Sequence, residues 1–259
     1  MDPTTPAPTA RATPTIKPLP GKINVALQFW DGDRTRAMHL ARFIADLEPE
    51  FNNLVDFTFV ARWDAQHDDP TVEYVSKKFK TWKLKGRRMG TGWPRGCNDL
   101  ALDLFLQSAM KVSRKEWPDH KALYLIESDV MPLRRDWLAK LAEEWDATTS
   151  KGKLVLGAWC PFHSSVGHIN GNMLVAPDIA RKVNHITLCP AHTGWDAFLA
   201  PKFAPHWVKS KIMQNHYDYR SNIPEEILWS SVDGVTEPVV VHGVKDMSAE
   251  MQVRDKLGM

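Results

Sequence analysis

The short apolar run Ala122-Leu123-Tyr124-Leu125-Ile126 has the make-up of a buried strand, and it breaks at Glu127-Ser128-Asp129. In extended chain, residues i and i+2 project to the same side. Both carboxylates therefore face one point beyond the strand end, and Ser128 turns away. A hard divalent cation such as Mn²⁺ or Mg²⁺ takes oxygen ligands and keeps positions open for phosphate and water. Two carboxylates at a strand end suit it. The same Glu-x-Asp can also serve only to cap the helix that follows, so the motif needs context.

The surrounding elements supply some. Ile23 to Phe29 reads as an apolar strand running into the turn Trp30-Asp31-Gly32-Asp33. Residues 34–47 place Ala37, Leu40, Ala41, Ile44 and Leu47 at helical spacing, and Val55 to Ala61 reads as a second strand. Strand, helix and strand in that order form the βαβ unit of a parallel sheet, where ligands gather beyond the strand carboxyl ends. That rule makes Phe29 to Asp33 and Arg62 to Asp64 neighbours at one crevice. Asn98 or Asp99 is placed to cap a helix reaching about Lys111, and Pro132 to lead into a helix with Trp137, Leu138, Leu141 and Trp145. Further strands are expected at Leu154 to Trp159, Ile169 to Val175 and Val239 to Val241, with Pro177 opening a helix and a short helix near Glu225 to Ser231. Residues 186–222, rich in His, Pro and aromatics, read as a lid or acceptor-facing region.

Of the 259 residues 43% are hydrophobic and 25% charged, an ordinary globular balance. The net charge of +2 does not by itself announce a nucleic-acid partner. Residues 1–21 are Pro-, Thr- and Ala-rich without apolar periodicity and read as a disordered leader to one domain spanning 22–259. Cys97, Cys160 and Cys189 form no Cys-x-x-Cys pair, which fits a reducing, cytoplasmic setting. A zinc set from Cys160, His163 and His168 has poor spacing. No apolar run approaches the ~20 residues of a membrane span.

The stretch LYLIESDVMPLRRDWL resembles the Asp-x-Asp region of GT-A glycosyltransferases, with Glu in place of the first Asp. HINGNML (168–174) and VVVHGVKD (239–246) follow in the order of that family's sugar-contacting strand and of its His-containing segment. The resemblance spans roughly residues 23–246. It implies an α/β fold of GT-A (Rossmann-like) type, a mixed, mostly parallel sheet flanked by helices. It also implies a cation held by Glu127, Asp129 and His242, and a nucleotide-sugar donor, a UDP-sugar first among them. Lys245 would contact the diphosphate, and Asn170, Gly171 and Asn172 the donor sugar. Phe29 or Trp30 would lie against the base, with Asp64 on a uracil edge and Arg95 and Asn98 at phosphate or ribose. Asp196, in His192-Thr193-Gly194-Trp195-Asp196, is the candidate acceptor base; it is equally placed as a helix-cap carboxylate, and in a retaining enzyme it would position the sugar.

The acceptor is read from residues 77–88, where Lys77, Lys78, Lys80, Lys83, Lys85, Arg87 and Arg88 interleave with Phe79 and Trp82 and no acid intervenes. Such alternation suits a nucleic-acid backbone with exposed bases, although a charge run is more often a solvated face. The chain is also similar to small phage-type glycosyltransferases that decorate hydroxymethylated pyrimidines. The favoured expectation is therefore transfer of a sugar such as glucose to 5-hydroxymethylcytosine or a related base in double-stranded DNA, with Trp195 or Trp207 beside an extruded base. The alternatives are a same-fold enzyme acting on a polysaccharide, lipid-linked sugar or protein, and a non-catalytic nucleic-acid-binding protein.

Overall fold

A computed structural model describes residues 21–62, 70–87, 90–162, 164, 166–183, 186, 189–216, 224–231, 234–245 and 248–259. Most of the expected leader, together with Asp64, Arg88 and His163, lies outside the described residues. In chain order the first half holds β1 (Lys22–Gln28), α1 (Arg34–Leu47), β2 (Val55–Arg62), α2 (Pro70–Ser76), β3 (Lys80–Gly86), α3 (Cys97–Ser113), β4 (His120–Ile126), β5 (Val130–Pro132) and α4 (Trp137–Thr149). The second half holds β6 (Val155–Cys160), β7 (His168–Val175), α5 (Ile179–Lys182), α6 (Trp195–Phe203), β8 (Trp207–Lys209), β9 (Met213–Asn215), α7 (Glu225–Leu228), β10 (Val240–His242) and α8 (Ser248–Leu257).

Alternation along the central strands builds the layers. In β4, Ala122, Tyr124 and Ile126 enter one core with α1, α4 and α8, while Leu123 and Leu125 enter a second core with α3 and α6. A strand covered on both faces has no solvent side, which is why β1, β2 and β4 read as continuous apolar runs. The seven-stranded sheet has the order β3-β2-β1-β4-β7-β6-β8. β7 alone runs antiparallel to its neighbours β4 and β6, and the other pairs are parallel. This is the mixed, mostly parallel α/β architecture the sequence leads one to expect, formed as a single domain.

Several details differ from that expectation. The terminal strand β10 belongs to a separate three-stranded sheet, between β5 and β9. Pro132 closes β5 rather than opening a helix, and α4 begins only at Trp137. Neither Asn98 nor Asp99 caps α3: the helix begins at Cys97, and Asp99 instead accepts a hydrogen bond from the Gly90 amide. The helix expected from Pro177 is the single turn α5. α8, with only three buried residues, carried too weak an apolar stripe to be read.

Within residues 77–88, Lys80–Gly86 form β3, the edge strand of the large sheet. Phe79 is fully buried against Phe57, with ring centroids 5.8 Å apart. Trp82 packs edge-on to Trp117 and donates its Nε1–H to Asp56 at 2.8 Å. Lys80 and Lys111 lie over the same indole, 4.6 and 4.9 Å from a ring centroid. Trp82 is thus already occupied on its faces and its polar edge, and it offers no open platform for a base. Lysines along an unpaired edge also discourage strand-to-strand aggregation, a sufficient physical reason for this run.

Candidate active site

The carboxyl end of β4, the end of β6, the start of β7 and the end of β10 meet at one cavity of about 530 Å³. Glu127 and Asp129 follow β4, and Ser128 between them turns away to accept a hydrogen bond from Arg36 of α1 at 3.1 Å. His242, the last residue of β10, places Nε2 3.3 Å from Glu127 Oε2 and 3.3 Å from Asp129 Oδ1. One ligand atom from each of the three residues lies within 4.8 Å of the others. Two carboxylates and one imidazole form a donor set suited to a divalent cation of the Mn²⁺ type.

A surrounding shell fixes these groups. Gln28, the last residue of β1, donates Nε2–H to Glu127 Oε1 at 3.0 Å. His242 Nδ1 lies 2.8 Å from Asn215 Oδ1 and 2.9 Å from Asn170 Nδ2. Asn170 Oδ1 accepts the Asn172 amide at 3.1 Å, which sets the Asn170 amide plane. Nε2 is thus the ring nitrogen turned toward the carboxylates, the orientation a metal-ligating histidine requires. The Gly243 and Val244 amides bond the Asp129 carbonyl at 3.0 and 2.9 Å, locking β10 to the acidic turn.

Two glycines are demanded by crowding. A Cβ on Gly171 would sit 2.7 Å from Glu127 Oε1. Gly243 has φ +93°, and a Cβ there would lie 2.4 Å from the His216 carbonyl oxygen. Both positions need the missing side chain.

Burial would raise the Asp129 pKa, but His242 and Lys245 more than offset that and hold the carboxyl well below its usual range. The Lys245 ammonium rests directly on Asp129 Oδ2. Burial opposes charge on His242, yet Asp129 and then Glu127 push its pKa up to about 10.

Across the cavity, α6 begins at Trp195, and Asp196 in its first turn accepts the Ala197 amide at 2.8 Å. Its other oxygen lies 3.4 Å from Nε2 of His168, the first residue of β7. Burial disfavours a charged His168, but Asp196 and Cys160 outweigh it and push the pKa up to about 10. Cys97 also lines the cavity, where burial and nearby acids push its thiol up and leave it protonated.

Of the candidates read from the sequence, Glu127, Asp129, His242, Lys245, Asn98, Asn170, Gly171, Trp195 and Asp196 line this one cavity. Others stand elsewhere. Phe29 is buried in the core, and Asn172 is buried against the Tyr124 hydroxyl, which donates to it at 2.5 Å. Trp30 folds onto Gly32, where an added Cβ would lie 2.0 Å from its ring. Arg95 is exposed outside the lining. Asn98 donates to the Thr193 and Pro190 carbonyls at 2.9 and 3.3 Å, so it ties two wall segments together. Trp195 is only 3% exposed and packs edge-on against Phe105. Trp207 does likewise against Trp159. Arg62 reaches Asp31 at 3.8 Å, so those two strand ends do meet. Sequence reasoning gave no site role to Gln28, Asn215 or Trp93, and named His168 only in a zinc set. Gln28, Asn215 and His168 are buried polar residues at strand ends, and that position was the available signal.

No family model matches the chain, and no curated protein matches it by sequence. Solved structures do. An active-site mutant of LgtC aligns over 85% of this chain and 86% of its own, at 11% identity and a TM-score of 0.53. The galactosyltransferase LgtC in complex with donor and acceptor sugar analogues aligns over the same shares, at 9% identity and a TM-score of 0.52. Mouse xyloside xylosyltransferase 1, in its apo form, aligns over 86% of this chain and 98% of its own, at 12% identity and a TM-score of 0.50. Among the described residues no helix is long and apolar enough to cross a membrane. The chain carries the GT-A, Rossmann-like fold of these glycosyltransferases.

Proposed function

We propose that the chain is a metal-dependent glycosyltransferase that moves a sugar from a nucleoside diphosphate donor, a UDP-sugar in the first instance, to an acceptor hydroxyl. The observation that carries this reading is the convergence of Glu127, Asp129 and His242 within 4.8 Å at the carboxyl end of a GT-A sheet. Those three residues would hold Mn²⁺ or Mg²⁺. The cation would supply positive charge to the diphosphate as negative charge develops on the leaving oxygen. Lys245, which contacts Asp129, would add a second positive charge at the same place. Asn170 and Gly171 border the donor sugar, where the bare glycine backbone permits close approach. Asp196, on the facing wall, takes the proton of the attacking hydroxyl, and its contact with His168 keeps the carboxylate turned into the cavity.

Transfer to 5-hydroxymethylpyrimidine in DNA rests on the exposed lysines of β3 alone, since Trp82 and Trp195 are engaged in packing. One assay addresses donor, metal and acceptor: UDP release from UDP-glucose with Mn²⁺, with and without hydroxymethylcytosine duplex DNA. Metal-dependent release, lost in Asp129→Ala, is the expected result. Dependence on DNA would establish that acceptor; release indifferent to DNA removes it. No release from any common nucleotide sugar, with or without metal, would sink the enzyme assignment.

A further inference from the structure

Trp93 differs from the other tryptophans of the described chain. Trp117, Trp137, Trp145 and Trp195 are buried, and Trp82, Trp159, Trp207 and Trp229 pack against the cores. Trp93 is 75% exposed, yet it lines the cavity. A single exposed apolar side chain needs no explanation on its own, but one that also lines a cavity beside convergent polar groups is a candidate binding surface.

The indole is held in a firm mount. It sits in the turn Gly92–Gly96 that leads into α3. Gly96 packs so closely on the Thr91 backbone that an added Cβ would lie 2.9 Å from it, and the Gly90 amide bonds Asp99. Through Asn98 the same segment is tied to the Pro190 and Thr193 carbonyls. Trp93 and the wall that carries His192, Thr193 and Asp196 therefore form one unit, facing the metal cluster across the cavity.

The charges around the cavity select the occupant. Among the described residues its lining holds three carboxylates, each in contact with a cationic group: Glu127 and Asp129 with His242, Asp129 also with Lys245, and Asp196 with His168. Among the described residues no Lys or Arg lines the Trp93 side. A polyanionic strand would find the cationic groups of this cavity already engaged by carboxylates, His168 by Asp196 and His242 and Lys245 by the acidic pair. A neutral ring with an apolar face and a hydroxyl edge fits both halves of the wall: C–H groups against the indole, hydroxyls toward His192, Thr193 and Asp196.

We propose that Trp93 is the platform for the acceptor, and that the acceptor is a neutral pyranosyl residue stacked on its indole with the nucleophilic hydroxyl toward Asp196. The inference rests on the glycosyltransferase reading and narrows its substrate class. In the transfer, the acceptor oxygen bonds to the anomeric carbon, the bond from that carbon to the diphosphate oxygen breaks, the nucleoside diphosphate leaves, and the acceptor proton passes to Asp196.

The test measures binding, apart from turnover. Methyl glucopyranosides and galactopyranosides of both anomers, and a hydroxymethylcytosine duplex, are titrated into the protein with UDP and Mn²⁺ present. Saturation-transfer NMR reports ring contact, and calorimetry reports UDP·Mn²⁺ affinity. At least one pyranoside should bind saturably, weaken about tenfold in Trp93→Ala, the scale of a lost aromatic platform, and stay within about threefold in Trp93→Phe, which keeps a π-face. UDP·Mn²⁺ affinity should be unchanged in both variants, which also certifies their fold. Normal UDP·Mn²⁺ binding with no pyranoside bound, with equal binding by Trp93→Ala, or with Trp93-dependent binding of the duplex instead, overturns the inference. Loss of UDP·Mn²⁺ binding in the unaltered protein overturns the glycosyltransferase reading, while Trp93-dependent pyranoside binding would still uphold the platform.

Discussion

Two charged regions of this chain invite opposite treatment when read in order. Residues 77–88 hold seven Lys or Arg in twelve positions, whereas Glu127, Asp129, His242 and Lys245 are scattered over more than a hundred. The structure spreads the first along a sheet edge, with Lys80, Lys83 and Lys85 all exposed. It draws the second into contact, with Asp129 and His242 buried and each bonded to several partners. Charge density along the chain is therefore a poor guide to chemistry here. Convergence combined with desolvation marks the site, because a buried charge persists only where its surroundings compensate it.

The contrast can be broken by substitution. The largest effect is expected for His242→Ala, which removes one of three candidate ligands. Apparent Mn²⁺ affinity, followed by calorimetry, should fall by on the order of 100-fold or more, beyond the 10–100-fold typical of residues that merely orient ligands. Near-normal affinity would detach His242 from the cation. Gly171→Ala should cost roughly 10–100-fold in the same titration by displacing the Glu127 carboxylate, with the melting temperature little changed.

A smaller, pH-dependent effect is expected at His168. Its pKa rises from 6.5 to about 10 in the folded state, so its contribution to stability is full below about pH 6.5 and fades as pH rises through 10. The stability gap between the parent and His168→Gln, from urea denaturation, should therefore shrink between pH 6 and pH 10. A gap constant with pH would mean that the ion pair with Asp196 does not form. The smallest effect is expected for Lys80, Lys83 and Lys85 replaced together by Ser. Stability at each exposed site should move by about 0.5 kcal/mol or less, metal affinity should not move, and aggregation should increase as the edge loses its lysines. Loss of UDP release with DNA as acceptor would instead restore a substrate role to that strand.

The core strands were legible because burial on two faces forces apolar runs, as in β1 and β4. The acidic pair was legible because its spacing of two is preserved by extended chain. The placement of His242 and Lys245 came from resemblance, since nothing local at Val239 to Val241 announces that β10 leaves the main sheet to pair with β5. Trp82 and Trp195 were misjudged for one reason: sequence gives the presence of an indole but not what covers it. Trp93 shows the converse, an indole in a Gly- and Pro-rich turn that is exposed among the described residues.

β7 has a consequence for how the cavity keeps its dimensions. His168 and Asn170 stand two positions apart on this strand, every residue of which is buried, so their side chains share a face. One reaches Asp196 and the other reaches His242. The strand behaves as a ruler of about 6–7 Å, graduated at one end by the Asp196 carboxylate and at the other by the His242 imidazole. Both walls are gauged from a single stiff segment of backbone, so a slip of β7 against β4 would carry the two settings off together.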